Sequence, residues 1–117
     1  MNTQNNLIEM AKRIKDALSY YKVFIYEKSE NIIVRELIKK LGLDALVSIS
    51  EIVRGKHLLL LEPNTRPCIS ECTYECRNEN KEKSRERCIK ACIEKCKEER
   101  LQHIKNVLES YISGQGG

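Results

Sequence analysis

Six cysteines stand in two triplets, Cys68, Cys72 and Cys76, then Cys88, Cys92 and Cys96. Each triplet runs i, i+4, i+8, which places its thiols along one face of a helix. Folding the chain back between the triplets brings Cys76 to Cys88, Cys72 to Cys92 and Cys68 to Cys96. An antiparallel helical hairpin makes all three meetings in register, so helical geometry favours this nested pairing over the others open to six Cys. Pro67 suits the first turn of the first helix. The turn, Arg77 to Arg87, holds eight charged residues among 11, with Asn78, Asn80 and Ser84 as turn and capping residues. The outer rung, Cys68–Cys96, is the hardest to close. An i, i+4 stripe drifts by about 40° per step, while a disulfide needs its Cα atoms within about 7 Å. Three rungs therefore require the helices to wrap about each other, or leave the outer bridge strained. Two alternatives use the same residues. Cys-x3-Cys falls within zinc-site spacing, although no Gly, Pro or His separates the thiols to make the tight turn such sites favour. The third option is free buried thiols. A redox-catalytic Cys-x-x-Cys does not occur.

The segment Cys72-x3-Cys76, 11 residues, then Cys88-x3-Cys92 resembles the twin Cys-x3-Cys hairpin of the small Tim chaperones of the mitochondrial intermembrane space. The resemblance implies a helical hairpin clamped by two nested disulfides. It covers about 20 of the 117 residues. This chain adds the outer Cys68 and Cys96 and a long Cys-free region before them. What carries over is the hairpin fold, not chaperone activity.

The chain divides near Pro63. Residues 1–62 contain no Cys and most of the Leu, Ile and Val, and are expected to form a small α/β domain. Residues 63–66 join it to the hairpin of residues 67–113, and residues 114–117 form a tail expected to be disordered. The whole reads as an α+β protein, mostly α. Leu58 to Leu61 is the longest unbroken apolar run, so neither a membrane span nor a signal peptide is expected. Glu outnumbers Asp 15 to two, and charged residues make up 32% of the chain. Lys/Glu enrichment is a surface signature of hyperthermophile proteins, which also tolerate intracellular disulfides. The expected setting is thus the cytoplasm of a thermophilic archaeon, or its virus or plasmid; an oxidising compartment is the alternative.

Within residues 1–62, Leu7, Ala11, Ile14, Leu18 and Tyr21 repeat at heptad spacing on a helix over 3–21, which Thr3 or Asn5 could cap. Val23 to Tyr26 reads as a strand. Ser29 is a candidate N-cap for a helix whose stripe, Ile33, Val34, Leu37, Ile38 and Leu41, ends at Gly42. Leu58 to Leu61 reads as a buried strand. Residues 44–53 admit two readings. Asp44 could cap a helix over 45–54. Equally, Val47 to Val53 could be a strand turning at Arg54-Gly55-Lys56 into Leu58 to Leu61. The first resembles the helix-turn-helix of small winged-helix regulators, with Leu37, Leu41, Gly42 and Leu43 in the motif's apolar, apolar, Gly and apolar positions. The second makes a three-stranded sheet with helices on one face.

The second hairpin helix, about 84–112, outruns the first and carries a second heptad stripe, Leu101, Ile104, Leu108 and Tyr111. It is expected to meet Leu7, Ile14 and Leu18, either within one chain or across a homodimer.

The functional reading rests mainly on residues 44–53, and the charge permits it. The net charge is +4, and residues 1–66 hold 11 Lys and Arg against eight Asp and Glu. The helix-turn-helix reading makes this a small DNA- or RNA-binding protein, with transcription regulation as the expected role. Lys39 and Lys40 would contact phosphates, and Ser48, Ser50, Arg54, Lys56 and His57 would supply further contacts. The competing reading is a protein-interaction or structural module using the overhanging second helix. No phosphate loop, zinc-protease motif or nucleophile elbow occurs. The two His, His57 and His103, lie far apart in sequence. No enzyme activity, cofactor, metal or small-molecule substrate is expected.

Overall fold

The computed structural model describes residues 3–52 and 57–116. Helix α1 (Thr3–Tyr21) leads into strand β1 (Phe24–Glu27) and a 3-10 turn, Lys28–Glu30. Helix α2 (Asn31–Lys40), strands β2 (Val47–Glu51) and β3 (Leu58–Pro63), and helices α3 (Arg66–Glu75) and α4 (Glu82–Gly116) follow. The architecture is α+β and mostly helical, as the sequence predicts.

Of the two readings of residues 44–53 the strand is the one found: β2 covers Val47–Glu51, and no helix forms over 45–52, while Val53 and Arg54 lie outside the described residues. Helix α2 stops at Gly42, whose φ of +68° suits a residue without a Cβ. Leu43 N–H then bonds back to the Ile38 carbonyl at 2.9 Å, closing the helix end. Only four residues remain before β2, too few to cap and nucleate a helix. The β-branched Val47 and Ile49 favour a pleated surface instead. Ser29 does not cap α2; it lies in the 3-10 turn, and the N-cap position falls on Glu30 without a side-chain bond.

The sheet has the order β1-β3-β2, all antiparallel. Phe24 pairs with Leu61 and Tyr26 with Leu59, while Ile49 lies opposite Leu61 and Val47 opposite Pro63. These residues share one face. Together with Leu7, Met10, Ile14 and Leu18 of α1, Val34, Leu37 and Ile38 of α2, and Ile104, Leu108 and Tyr111 of α4, they form the core. The predicted seam Leu7, Ile14, Leu18, Ile104, Leu108 and Tyr111 is therefore buried within one chain, with Leu101 packed at its margin. Lys15 of α1 pairs with Glu109 of α4 along its rim. Tyr21 departs from the seam and is 75% exposed. Helix α1 ends there, and Lys22 at φ +66° redirects the chain into β1.

The hairpin closes as the Cys spacing predicts. Cys68–Cys96, Cys72–Cys92 and Cys76–Cys88 are all formed, with Cα separations of 5.9, 5.6 and 5.8 Å. The outer rung is as well closed as the others. No Cys is free, so the zinc and free-thiol alternatives do not apply to this state. The turn is shorter than expected: α3 ends at Glu75 and α4 starts at Glu82, so Ser84 is helical rather than a cap. At the other end α4 continues through Ser113 to Gly116 where a disordered tail is predicted, because extending a nucleated helix adds one hydrogen bond per residue. The connector narrows to Asn64 and Thr65. Asn64 N–H donates to the Leu46 carbonyl at 2.8 Å, and its Oδ1 accepts from Arg66 N–H at 3.2 Å. Asn64, through its backbone and its side chain, thus ties the segment entering β2 to the start of α3.

Candidate interaction surface

Side chains alternate across a strand, so burying Phe24, Tyr26, Leu59 and Leu61 sends Ile25, Leu58 and Leu60 to the other face. Ile25 lies directly opposite Leu60, and Ser50 lies opposite Leu60 on the far side. Ile52 adjoins Leu58, donating its N–H to the Leu58 carbonyl at 3.3 Å. Ile25 is 52% exposed, Ile52 41% and Leu58 38%, with Leu60 half-buried. Four large aliphatic side chains thus form a patch spanning all three strands. Glu27, Ser48, Ser50 and Glu62 share that face by register. It contains no aromatic ring, so it offers no base-stacking platform of the kind single-stranded nucleic acid uses.

The nucleic-acid candidates are dispersed. Ser48 and Ser50 lie on this outer face, Ser50 exposed and Ser48 half-buried. His57 is exposed just before β3, with its carbonyl accepting from Lys28 N–H at 2.7 Å. Arg54 and Lys56 lie outside the described residues. Lys39 and Lys40 sit in the last turn of α2, where cations oppose the helix dipole. Lys39 also joins Arg35, Asp44, Val47 and Ile49 around a cleft between α2 and the β2 edge. Sequence reasoning missed Arg35, which stands one turn before Lys39 on α2. Burial pushes the Tyr26 hydroxyl pKa up and the Arg35 charge pulls it back. Among the described residues neither Arg35 nor Lys39 is in an ion pair.

The apolar outer face was also missed. Its signal lies in the run Leu58-Leu59-Leu60-Leu61, which alternates nothing. An antiparallel strand with one wet face usually alternates apolar with polar residues, whereas unbroken apolar runs mark strands covered on both sides.

Tyr26 and Tyr111 are core residues, whereas Tyr20 and Tyr21 are exposed. Among the described residues no helix is long and apolar enough to cross a membrane, and no group of three or more His, Cys, Asp or Glu is placed to hold a metal ion. No protein-family model, curated protein or solved structure matches this chain.

Proposed function

We propose that this protein is a non-enzymatic binding module whose outer sheet face docks a separate protein. One observation carries the reading: the central strand β3 is apolar on both faces, yet only Leu59 and Leu61 are fully covered. The patch mixes Ile25, Leu58, Leu60 and Ile52 with Ser50, Glu27 and Glu62. That mixture suits an interface that also exists unbound, since permanent homodimer interfaces are more uniformly apolar. The occupant is therefore a different chain with an apolar face of its own. The seam expected to hold two copies together is used up inside the chain, which removes the motive for dimerisation through α4.

A second reading keeps nucleic-acid binding. It is supported by Arg35 and Lys39, two cations without ion-pair partners among the described residues, which line the cleft beside β2 with Val47 and Ile49. It no longer has a recognition helix, so phosphate contacts would dominate and affinity would fall steeply with salt.

Two double variants separate the readings. Ile25→Asp with Leu58→Asp should abolish capture of a defined partner from cell extract, while Arg35→Ala with Lys39→Ala should leave it intact. The protein should be monomeric by light scattering. A dimer dispersed by the Ile25/Leu58 change would show that a second copy occupies the face and overturn the separate-partner reading. Salt-sensitive DNA or RNA binding, lost only in the Arg35/Lys39 variant, would favour the second reading.

A further inference from the structure

Helix α3 has no apolar anchor other than its cysteines. Its buried side chains are Cys68 and Cys72, with Cys76 buried at its C-terminal cap. Its larger apolar residues face outward, Ile69 being 56% and Tyr74 66% exposed. The helix is ten residues long, below the roughly 12–15 residues that isolated helices need even to be marginal in water. The core of the molecule, by contrast, contains no cysteine and no residue between Leu61 and Leu101.

We infer that the three-rung ladder is a redox-operated latch. In the oxidised state it holds α3 against α4. In the reduced state α3 leaves α4 and loses its helix, while the α/β unit and the C-terminal half of α4 stay folded. This inference does not depend on the docking role proposed for the sheet.

The chemistry needs a dithiol reductant. Its thiolate attacks the sulfur on the α4 side, because Cys88, Cys92 and Cys96 are half-buried whereas the α3 sulfurs are closed off. A mixed disulfide forms on α4, and the α3 thiolate departs and takes a proton. The second thiol of the reductant then displaces the α4 thiolate, which is also protonated. Each rung gains two electrons and two protons, and the reductant becomes a disulfide. Freed of the S–S bonds, Cys68, Cys72 and Cys76 remain as three small weakly apolar side chains. No larger side chain on α3 is buried to hold it in place.

Approach to the rungs is uneven. Glu71, Glu75 and Glu99 line the groove beside Cys72, Cys92 and Cys96, together with Lys95, and the Glu75 carboxylate lies 3.4 Å from Cys92 Sγ. An incoming thiolate is repelled there. Cys76–Cys88 lies outside that groove, at the tip beside the turn of residues 77–87, whose five Lys and Arg outnumber three Glu and so attract a thiolate. The latch therefore opens from the tip.

Hydrogen exchange followed by mass spectrometry tests this on the full chain, oxidised and in excess dithiothreitol with six thiols confirmed by counting. Protection over 68–76 should fall at least about 100-fold, toward unstructured rates, while peptides spanning 7–21, 58–63 and 104–111 keep theirs. A chain with all six Cys changed to Ser should show the same pattern without reductant. Retained protection over 68–76 in both samples would overturn the inference. So would loss of protection in the core peptides, because the ladder would then be a staple for the whole fold.

Discussion

Ile25 and Leu60 face each other across the β1–β3 pair on the side of the sheet away from the core, while their neighbours Tyr26, Leu59 and Leu61 are buried on the other side. Strand β3 is thus a core element through its odd-numbered leucines and the proposed docking surface through its even ones. The two sets should respond oppositely to substitution. Leu61→Ala removes a fully buried side chain and should cost about 2–5 kcal/mol. Ile25→Ser should cost less than about 1 kcal/mol, because half of that side chain is already wet. Chemical denaturation of the two variants checks the contrast; equal losses would mean that the outer face is part of the monomer's own core.

Arg13 on α1 donates to both carboxylate oxygens of Glu30 at the end of the 3-10 turn, and its guanidinium lies 5.5 Å from the Phe24 ring centroid. The Arg13 hydrogen bond and charge hold the Glu30 carboxyl below its ordinary range. A carboxylate with a lowered folded pKa stabilises above its unfolded pKa, near about 4.3, and the contribution disappears as pH falls through the folded value. Arg13 is half-exposed, so solvent screening keeps the pair under about 1 kcal/mol. Glu30→Gln should therefore be slightly less stable than the parent at pH near 6, and equal to it at pH near 2, the gap shrinking in high salt. A gap that widened on acidification would contradict this assignment.

Lys22 occupies the left-handed region at φ +66° where α1 turns into β1. That conformation costs an L-residue roughly 1–2 kcal/mol, and glycine returns roughly 0.5–1 kcal/mol of it as extra unfolded-state entropy. Lys22→Gly should therefore raise stability by about 0.5–1 kcal/mol. Lys22→Val should lower it, since a β-branched side chain is poorly accommodated there. Thermal melts of the pair provide the check, and stabilisation by Val would be the contrary result.

The Tyr111 hydroxyl is buried at the α1–α4 seam without a hydrogen-bond partner among the described residues. Removing an orphaned polar group recovers part of its desolvation cost, about 1 kcal/mol or somewhat more. Tyr111→Phe should be neutral or stabilising by up to that amount, measured as a shift in the urea midpoint at constant m-value. A loss of more than about 1 kcal/mol would show that the hydroxyl is satisfied.

The rungs close loops separated by 12, 20 and 28 residues. Taken singly, the longest loop should stabilise more than the shortest by about 0.75 kcal/mol, from the logarithmic loop-closure relation. Loop size acts on the unfolded chain; the order in which a reductant opens the rungs of the folded one follows from access and the charge around them. Partial reduction followed by thiol labelling and peptide mapping should find Cys76 and Cys88 labelled first. Early labelling of Cys68 and Cys96 would reverse the order of opening.

Much of this fold was legible in the residues alone because it is local or periodic. The i, i+4, i+8 Cys triplets determine both helices and their pairing, since a helix offers one geometry at that spacing. The heptad stripes of α1 and α4 likewise identify their buried faces, though Tyr21 falls off the pattern where the helix ends. Periodicity could not say whether those stripes meet within a chain or between chains. That was decided by the sheet, which places α1 and α4 over the same face. Nor could it choose helix or strand for residues 45–54, whose short apolar pattern fits both periods. The partner β3 decided it, offering Val47 to Glu51 a complete ladder of backbone hydrogen bonds that an isolated short helix could not match. The exposed side of the sheet followed from the same event. The four leucines of β3 are written in the sequence, but only the packing of helices on one face leaves Ile25, Leu58 and Leu60 looking outward.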